Sequence, residues 1–391
     1  MKALKKTFYF SFIIILFSCF EIKSNDNPGQ INVMGYYMAP SENYRPQDLP
    51  LEKLTHIIFS FTEVVDNEMQ FRNIASGEKL TLLVDQKENH PNLKVMIACG
   101  GWGGSGGFSD MAATSENRKK FVKSAIEFLE EYDLDGLDMD WEYPGMYGAG
   151  NPYMPEDREN FTHLMRELRE AMDATGKKLV LTFASAGWKN YYNYVELEEV
   201  MKYADYMNVM TYDNVGGGTP YTAHHTNLGW VKPEHIKNTP AESITEERGY
   251  ELDPRSAEKI INFCIDKGVN PKQIVIGGAF YGKGWEGVSP DNNGLYQSHE
   301  GGFRVGSYSI IIKEYENKNG FVRYWDPIAK APYLYNKEEK KFITYEDKIS
   351  IKLKTEYAIE KGLGGIMFWQ LRGDAEKDGL LDAIHKAVSE H

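Results

Sequence analysis

The sequence predicts an α/β fold, a (β/α)8 TIM barrel with a small α+β insertion domain between its seventh and eighth strands. Short apolar runs typical of buried strands recur along the chain, and segments with helical spacing of apolar residues separate most of them. The length of 391 residues suits one barrel with an insertion. The expected strands are 31–37, 54–62, 93–99, 134–142, 179–185, 205–212, 273–280 and 364–370.

Amphipathic helices are expected between these strands. Segment 115–132 begins at Ser115, a good capping residue, and carries Phe121, Ala125 and Leu129 on one side. The same spacing predicts helices at 157–175, 196–204, 255–268 and 352–361. In a barrel of this kind the active site lies at the carboxyl ends of the strands.

The amino terminus has the features of an export signal. Lysines precede an apolar run at 8–17, and Ser18-Cys19 then resembles a bacterial lipobox. The run is too short for a comfortable transmembrane span. We expect a lipoprotein signal peptide at 1–18, a lipidated Cys19 anchored in a membrane of a bacterial cell envelope, and a tether at 19–30. A plain secretory peptide is the alternative.

The stretch between the last two strands is too long to lack structure of its own. Residues 290–350 are rich in Tyr and Lys and contain several β-like pieces. We therefore expect an α+β insertion domain at 290–350. The catalytic barrel would then comprise 31–289, with strands one to seven, and 351–391, with strand eight and the last helix.

Charge and cysteine content limit the partners. A net charge of −13 argues against nucleic acid and against an anionic membrane surface. Cys99 and Cys264 lie in apolar runs, which favours two buried thiols over a disulfide. No Cys/His cluster has the spacing of a metal site. We expect no metal, no cofactor, membrane contact only through the lipid anchor, and a monomer.

A row of acids marks the fourth strand. Asp138, Asp140 and Glu142 alternate with apolar residues and so share one face, while Asp135 is out of phase and is expected to frame the strand. Burying such charges costs about several kcal/mol per ion, so a row of this kind persists mainly where it does chemistry or binds metal. Paired carboxylates suggest cleavage of a glycosidic bond. A metal site is disfavoured because no histidine belongs to the row.

A glycine run, Gly100 to Gly107, follows the third strand. It lacks the Lys-Ser/Thr ending of a phosphate-binding loop. We interpret it as a backbone floor that lets a bulky ligand approach, with a plain flexible loop as the alternative.

The spacing Asp135-x-x-Asp138-x-Asp140-x-Glu142 resembles the signature of glycoside hydrolase family 18, the chitinases and their relatives. Similar positions run in order along the chain: Gly35-Tyr36, Phe61, Gly100-Gly101-Trp102, Met210-Thr211-Tyr212-Asp213, Tyr281-Gly282-Lys283 and Gly365-Ile-Met367-Phe-Trp369. The segments Trp325-Asp326-Pro327 and Ala331-Pro332-Tyr333 resemble markers of the family's chitinase insertion domain.

This resemblance implies retaining, substrate-assisted cleavage of β-1,4 bonds between N-acetylglucosamine units of chitin or chitooligosaccharides. The N-acetyl group of the substrate would be the nucleophile, and Glu142 the general acid and then the general base. Asp140 would orient the acetamido group and share a proton with Asp138. Tyr212 would donate its hydroxyl to the acetamido oxygen.

The resemblance also implies a set of sugar contacts. Trp369 would form the floor under the distorted sugar, Met210 would pack below it unless it is ordinary barrel core, and Asp213 would contact the hydroxyls. The further substrate-binding candidates are Tyr36, Phe61, Gly101, Trp102, Tyr143, Tyr281 and Trp285.

Two positions depart from the family pattern. Ala98 stands where the family often has a serine that supports the proton network of Asp138. Lys283 stands where an arginine is usual, which keeps the charge but loses a bidentate fork.

Two other functions compete with a chitinase. One is an endo-β-N-acetylglucosaminidase acting on N-glycans, which the insertion domain disfavours because such a domain deepens a cleft for a linear polymer. The other is a non-catalytic chitin-binding lectin. Lectins on this barrel typically lose the acid or the aspartate before it, whereas both Asp140 and Glu142 are present.

Overall fold

The computed structural model describes residues 31–73, 75–216, 218–249 and 252–391. The predicted signal peptide, Cys19 and the tether lie outside the described residues. Within the described ranges, no helix has both the length and the apolar character that a membrane crossing requires.

The strands are β1 (Asn32–Tyr37), β2 (His56–Val65), β3 (Glu68–Phe71), β4 (Lys94–Gly100), β5 (Gly136–Asp140), β6 (Val180–Ala186), β7 (Tyr206–Met210), β8 (Ile274–Ala279), β9 (Tyr281–Glu286), β10 (Gly301–Ser307), β11 (Phe321–Asp326), β12 (Ala331–Asn336), β13 (Lys341–Thr344) and β14 (Gly365–Trp369). The α-helices are α1 (Ala75–Val84), α2 (Phe108–Ala113), α3 (Ser115–Glu131), α4 (Asp157–Ala174), α5 (Leu197–Val200), α6 (Pro240–Glu247), α7 (Ala257–Asp266), α8 (Tyr308–Glu314), α9 (Lys348–Glu360) and α10 (Leu380–Ser389).

Eight parallel strands close into a barrel in the order β1-β14-β8-β7-β6-β5-β4-β2, and β2 pairs back with β1. These are the eight strands that the sequence predicts, so the TIM barrel is confirmed. β3 adds an antiparallel hairpin to the end of β2. In the ring, β5 and β14 stand opposite each other, with three strands between them on either side.

Two predicted helices differ from the observed ones by four residues at one end, and the others by two or fewer. The helix expected at 196–204 is the single turn α5, because the chain already enters β7 at Tyr206. The helix expected at 352–361 begins four residues earlier, at Lys348. Its cap is Asp347, whose carboxylate accepts hydrogen bonds from the backbone N–H groups of Ile349 and Ser350.

A second, antiparallel sheet lies between β8 and β14 in the chain, with the order β10-β9-β13-β12-β11 and the helix α8. It begins at β9, ahead of the expected start at residue 290. β9 belongs to this sheet because it pairs with both β10 and β13. Trp285 on β9 is buried against Phe342 in the core of this sheet. The expectation that Trp285 lines a sugar subsite is therefore wrong.

The fourth barrel strand shows the predicted alternation. Leu137, Met139 and Trp141 belong to the apolar layer between strands and helices. Asp138 points the other way and contacts Tyr36, a member of the cluster inside the barrel. The same strand therefore supplies apolar packing outward and carboxylates inward. Cys99 and Cys264 are buried free thiols, as predicted.

Candidate active site

Glu142 lies two residues beyond the end of β5, at the mouth of the barrel. The predicted strand runs to residue 142, but β5 ends at Asp140, because the backbone there bonds to the glycine run instead. The carbonyl of Asp140 accepts hydrogen bonds from Gly101 N at 2.8 Å and from the Ser105 hydroxyl at 3.1 Å. Glu142 N in turn donates to the Ser105 hydroxyl at 2.9 Å. The glycine run thus holds the backbone that carries the candidate acid.

Asp138 is fully buried inside the barrel and surrounded by donors. Its carboxylate accepts hydrogen bonds from Tyr36 Oη at 2.9 Å, Thr182 Oγ1 at 2.5 Å and Asn208 Nδ2 at 3.1 Å. Burial raises the pKa of Asp138 to about 6, although these three hydrogen bonds act to lower it. Ala98 lies opposite Asp138 on β4 and offers no side-chain donor, so the donors come from β1, β6 and β7.

Asp140 is buried between two other acids. Its Oδ1 has no hydrogen-bond partner among the described residues. Burial raises its pKa well above the usual range, and the charges of Glu142 and Asp138 raise it further. A carboxyl in this position favours its protonated form, and its free oxygen is available to a ligand.

Glu142 has a raised pKa of about 7. Burial is the main cause, a hydrogen bond from the neighbouring Tyr143 opposes it, and repulsion from Asp213 adds to it. A carboxylic acid with a pKa near neutrality can both donate and accept a proton at physiological pH.

Aromatic side chains opposite the acids form a floor. The ring of Trp369, at the end of β14, stacks on Phe61 with 5.5 Å between centroids and lies 5.9 Å from Tyr36. Gly101 faces this group with a φ of +81°, and a Cβ there would come within 2.8 Å of the Phe61 ring. Glycine is therefore required where the backbone approaches the floor. Non-proline cis peptide bonds occur at Ser60–Phe61, Glu142–Tyr143 and Trp369–Gln370.

Three groups lie close to one carboxylate oxygen of Asp213, Oδ1. Its Oδ1 accepts a hydrogen bond from Tyr281 Oη at 2.6 Å, pairs with Lys283 Nζ at 2.8 Å and lies 3.7 Å from His225 Nδ1. Partial removal from water would raise the pKa of Asp213, but His225 and Lys283 outweigh this effect and lower it. Asp213 is therefore an ionised carboxylate at the mouth.

Tyr212 and Met210 also face the cleft. The hydroxyl of Tyr212 contacts the Met367 sulfur at 3.9 Å, a weak interaction that leaves the hydroxyl available to a ligand. Met210 packs against both apolar clusters of the barrel, so it is at once core and cleft wall.

A second row of rings flanks Glu142. Tyr143 contacts Trp102 at 6.3 Å and Trp188 at 5.4 Å between centroids. The side chain of Trp102 is 55% exposed and lines the cleft, so its ring is accessible to a bound sugar. The guanidinium of Arg255 stacks on the other side of this row, 4.4 Å from the Trp188 ring centroid.

The cleft that these groups enclose has a volume of about 820 Å³. It brings together nearly all predicted site residues: Tyr36, Phe61, Gly101, Trp102, Asp140, Glu142, Tyr143, Met210, Tyr212, Asp213, Tyr281 and Trp369. Asp138 lies just beneath, behind Tyr36. Asp135 lies at the opposite end of β5, where its carboxylate accepts a hydrogen bond from Val95 N and pairs with Lys87.

Sequence reasoning missed several residues of the site. Thr182 and Asn208 bond to Asp138, Ser105 holds the backbone of Glu142, and Trp188 and Arg255 extend the cleft wall. The period-two alternation of β6 and β7 could have placed Thr182 and Asn208 inside the barrel. Nothing in the local sequence distinguishes Arg255 from a surface arginine.

A (β/α)8 barrel with buried carboxylates at its mouth, facing an aromatic floor, is typical of glycoside hydrolases. The sequence matches Glycosyl hydrolases family 18 over residues 32–374. The chain therefore belongs to this family.

Its relatives include chitinase A1 of Niallia circulans, 34% identical over 88% of this chain and 57% of that protein. The endochitinase of Manduca sexta is 30% identical over 89% of this chain and 64% of that protein. The chain thus spans less than two thirds of the length of either relative. Among solved structures, a family 18 N-acetylglucosaminidase from Paenibacillus barengoltzii is 36% identical with a TM-score of 0.81, and the match covers 91% of this chain and 99% of that one.

Proposed function

We propose that this protein binds chitin or chitooligosaccharides and hydrolyses their β-1,4 bonds between N-acetylglucosamine units, with retention of configuration. The observation that carries the proposal is the row of three buried acids at and just beneath the mouth, in which Glu142 has a pKa of about 7. The chitinase names of the two relatives above support the choice of substrate.

In the first step, protonated Glu142 gives its proton to the glycosidic oxygen as the bond from that oxygen to the anomeric carbon breaks. The carbonyl oxygen of the substrate's acetamido group forms a bond to the anomeric carbon, which yields an oxazolinium ion. The sugar rests on Trp369 during this step, and Tyr212 donates its hydroxyl to the acetamido oxygen.

Asp140 and Asp138 stabilise the positive charge of this oxazolinium ion. Asp140 accepts a hydrogen bond from the acetamido N–H through its Oδ1, which lacks a partner among the described residues. The two aspartates share a proton, because adjacent buried carboxylates cannot both ionise cheaply. Tyr36, Thr182 and Asn208 stabilise Asp138 when it becomes the charged partner.

In the second step, the Glu142 carboxylate takes a proton from water, which attacks the anomeric carbon and breaks its bond to the acetamido oxygen. The two displacements at one carbon restore the original configuration, and Glu142 is protonated again.

The test is hydrolysis of a chromogenic chitobioside by Glu142→Gln. Turnover should be lost while binding remains, because the amide is far too weak an acid to protonate the glycosidic oxygen. Retained turnover would refute the assignment of Glu142. A fully deacetylated oligomer tests the nucleophile, and cleavage at the rate of the acetylated oligomer would refute the substrate-assisted mechanism.

A second candidate activity is the release of single N-acetylglucosamine units. It is favoured by the similarity to the Paenibacillus N-acetylglucosaminidase structure over almost the whole of that chain. The products formed from chitohexaose separate the two activities, since release of monomer alone identifies this one. Parallel assays on a high-mannose glycoprotein test action on N-glycans, and loss of all turnover with retained binding would identify a lectin.

We also propose that the protein is exported and anchored through a lipidated Cys19. The support for this proposal is the lipobox-like Ser18-Cys19 after a short apolar run.

A further inference from the structure

A side pocket adjoins the cleft. Its volume is about 420 Å³, and it lies between the loop that follows β7 and the segment that precedes α7. Gly218 and Arg255 line both the side pocket and the cleft. The side pocket therefore borders the space that a sugar bound in the cleft would occupy.

The side pocket is on the leaving-group side, an assignment that rests on the proposed function. Trp369 on β14 stands across the barrel from β5. A sugar on Trp369 must direct its scissile oxygen toward Glu142, so the departing sugar lies beyond Glu142. The residues beyond it are Tyr143, Trp188 and Arg255, which contact one another in that order.

Arg255 differs from the other cations of the cleft. Arg72 pairs with Glu63 at 2.9 Å, and Lys283 pairs with Asp213 at 2.8 Å. Over the ranges that the structure describes, the guanidinium of Arg255 has no carboxylate within ion-pair distance and instead stacks on Trp188. Stacking on Trp188 orients this guanidinium, and no described carboxylate neutralises its charge.

The walls of the side pocket carry a second arginine without an ion-pair partner among the described residues. Arg248 lines it together with Arg255, and Arg248 too has no carboxylate partner in the described part of the chain. Among the described residues that line the pocket, Asp253 is the acid, and it forms an ion pair with Lys259. Among the described residues, Arg248 and Arg255 thus line a space whose acid, Asp253, is already paired.

We propose that the side pocket is a subsite for a carboxylate carried by the leaving-group portion of the substrate. A guanidinium matches a carboxylate with two parallel hydrogen bonds, which makes arginine the preferred partner for such a group. Unsubstituted chitin is neutral and leaves both arginines without a counter-charge. The carboxylate could belong to an oxidised reducing end or to a carboxyalkyl ether on a sugar hydroxyl.

The test uses two matched pairs of substrates. Chitotetraose with its reducing end oxidised to an aldonic acid is compared with the same oligomer reduced to an alditol. A chitotetraose bearing a 3-O-carboxyethyl group on its leaving-group sugar is compared with the unsubstituted oligomer. The quantity measured is the ratio of kcat/KM for the anionic to that for the neutral member, and the pair that responds identifies the source of the carboxylate.

Arg255→Met should lower this ratio about tenfold in at least one pair, as expected for loss of a charge-assisted hydrogen bond. Arg255→Lys keeps the charge and should retain part of the preference. Arg158→Met is the matched control, because Arg158 pairs with Glu196 on the exposed surface outside the cleft. Its ratios should equal those of the unmodified protein.

The same ratio in Arg255→Met and the unmodified protein, for both pairs, would overturn the proposal. Calorimetric Kd values for both pairs in Glu142→Gln provide the comparison without turnover. If the unmodified protein hydrolyses neither neutral substrate, the proposed function fails, while the Kd values still decide whether the pocket prefers a carboxylate.

Discussion

Replacing Glu346 with glutamine should destabilise the fold strongly, because Glu346 and Lys354 form an ion pair in which both side chains are 0% exposed. Nζ and Oε2 are 2.8 Å apart, which corresponds to about 6 kcal/mol of attraction at an effective dielectric constant of 20. Glutamine still accepts a hydrogen bond but leaves the ammonium uncompensated. Breaking a buried pair in this way typically costs about 3–5 kcal/mol.

The assay is urea unfolding followed by circular dichroism. Glu258→Gln is the matched control, since Glu258 pairs with Lys330 at the same 2.8 Å but in partial contact with water. An exposed pair contributes about 0–1 kcal/mol. The two pairs have the same ion-pair distance, and each glutamate also accepts one further hydrogen bond, from Thr226 Oγ1 in Glu346 and from Trp230 N in Glu258. Burial is the main difference between them, so the difference in stability between the variants reports chiefly the cost of the buried charge.

The dependence of this destabilisation on pH tests the account of the ion pair. Burial lowers the pKa of Lys354, and Glu346 opposes this effect, so Glu346→Gln should lower the pKa further. In the variant, the unfolded chain then binds the proton more tightly than the native state, and native stability rises with pH. The destabilisation should shrink between pH 7 and pH 9. A loss below about 1 kcal/mol, or one that does not change with pH, would refute this account of the ion pair.

Three further predictions concern activity and anchoring. The kcat/KM of hydrolysis should fall as pH rises through about 7, because Glu142 must be protonated, and Asp213→Asn should move this limb to lower pH by removing a repelling charge. Trp369→Ala should lower kcat/KM by about tenfold or more through loss of the aromatic floor, as measured with chitooligosaccharides. Cys19→Ser should release the protein from the membrane fraction.

Each of these predictions has its own contrary outcome. An unchanged alkaline limb in Asp213→Asn would exclude Asp213 as a cause of the raised pKa of Glu142. Tyr153→Ala removes an exposed aromatic outside the cleft, and a loss equal to that of Trp369→Ala would show a general effect. Membrane association that persists in Cys19→Ser would refute lipidation at that residue.

The parts of the site that were predictable from the sequence are those set by local geometry. Alternation along a strand is a property of adjacent residues, so the sequence alone predicts that Asp138 and Leu137 lie on opposite faces of the strand. Identifying Thr182 and Asn208 as donors requires the register of β6 and β7 against β5, which depends on residues far apart in the chain. For the same reason, the sequence does not show that Ser105, within the glycine run, holds the backbone of Glu142.

Strand β9 of the second sheet was not predicted from the sequence for the same reason. Tyr281–Glu286 alternates glycine with large residues and has no run of β-branched residues, so it resembles a loop. It becomes a strand because Lys283 pairs with Thr344 and Tyr281 with Ser307, both of them distant in sequence. β9 therefore belongs to the second sheet while its first and third side chains reach Asp213.

That placement explains how the mouth keeps two carboxylates in opposite protonation states. Asp213 stays ionised because Lys283 and His225 outweigh the effect of its partial burial. Its negative charge then helps to raise the pKa of Glu142, so the acid retains its proton near neutrality. Lys283 and Tyr281 both contact the same oxygen of Asp213, at 2.8 Å and 2.6 Å. The second sheet thus acts on the chemistry of β5 from across the cleft, through the charge of Asp213.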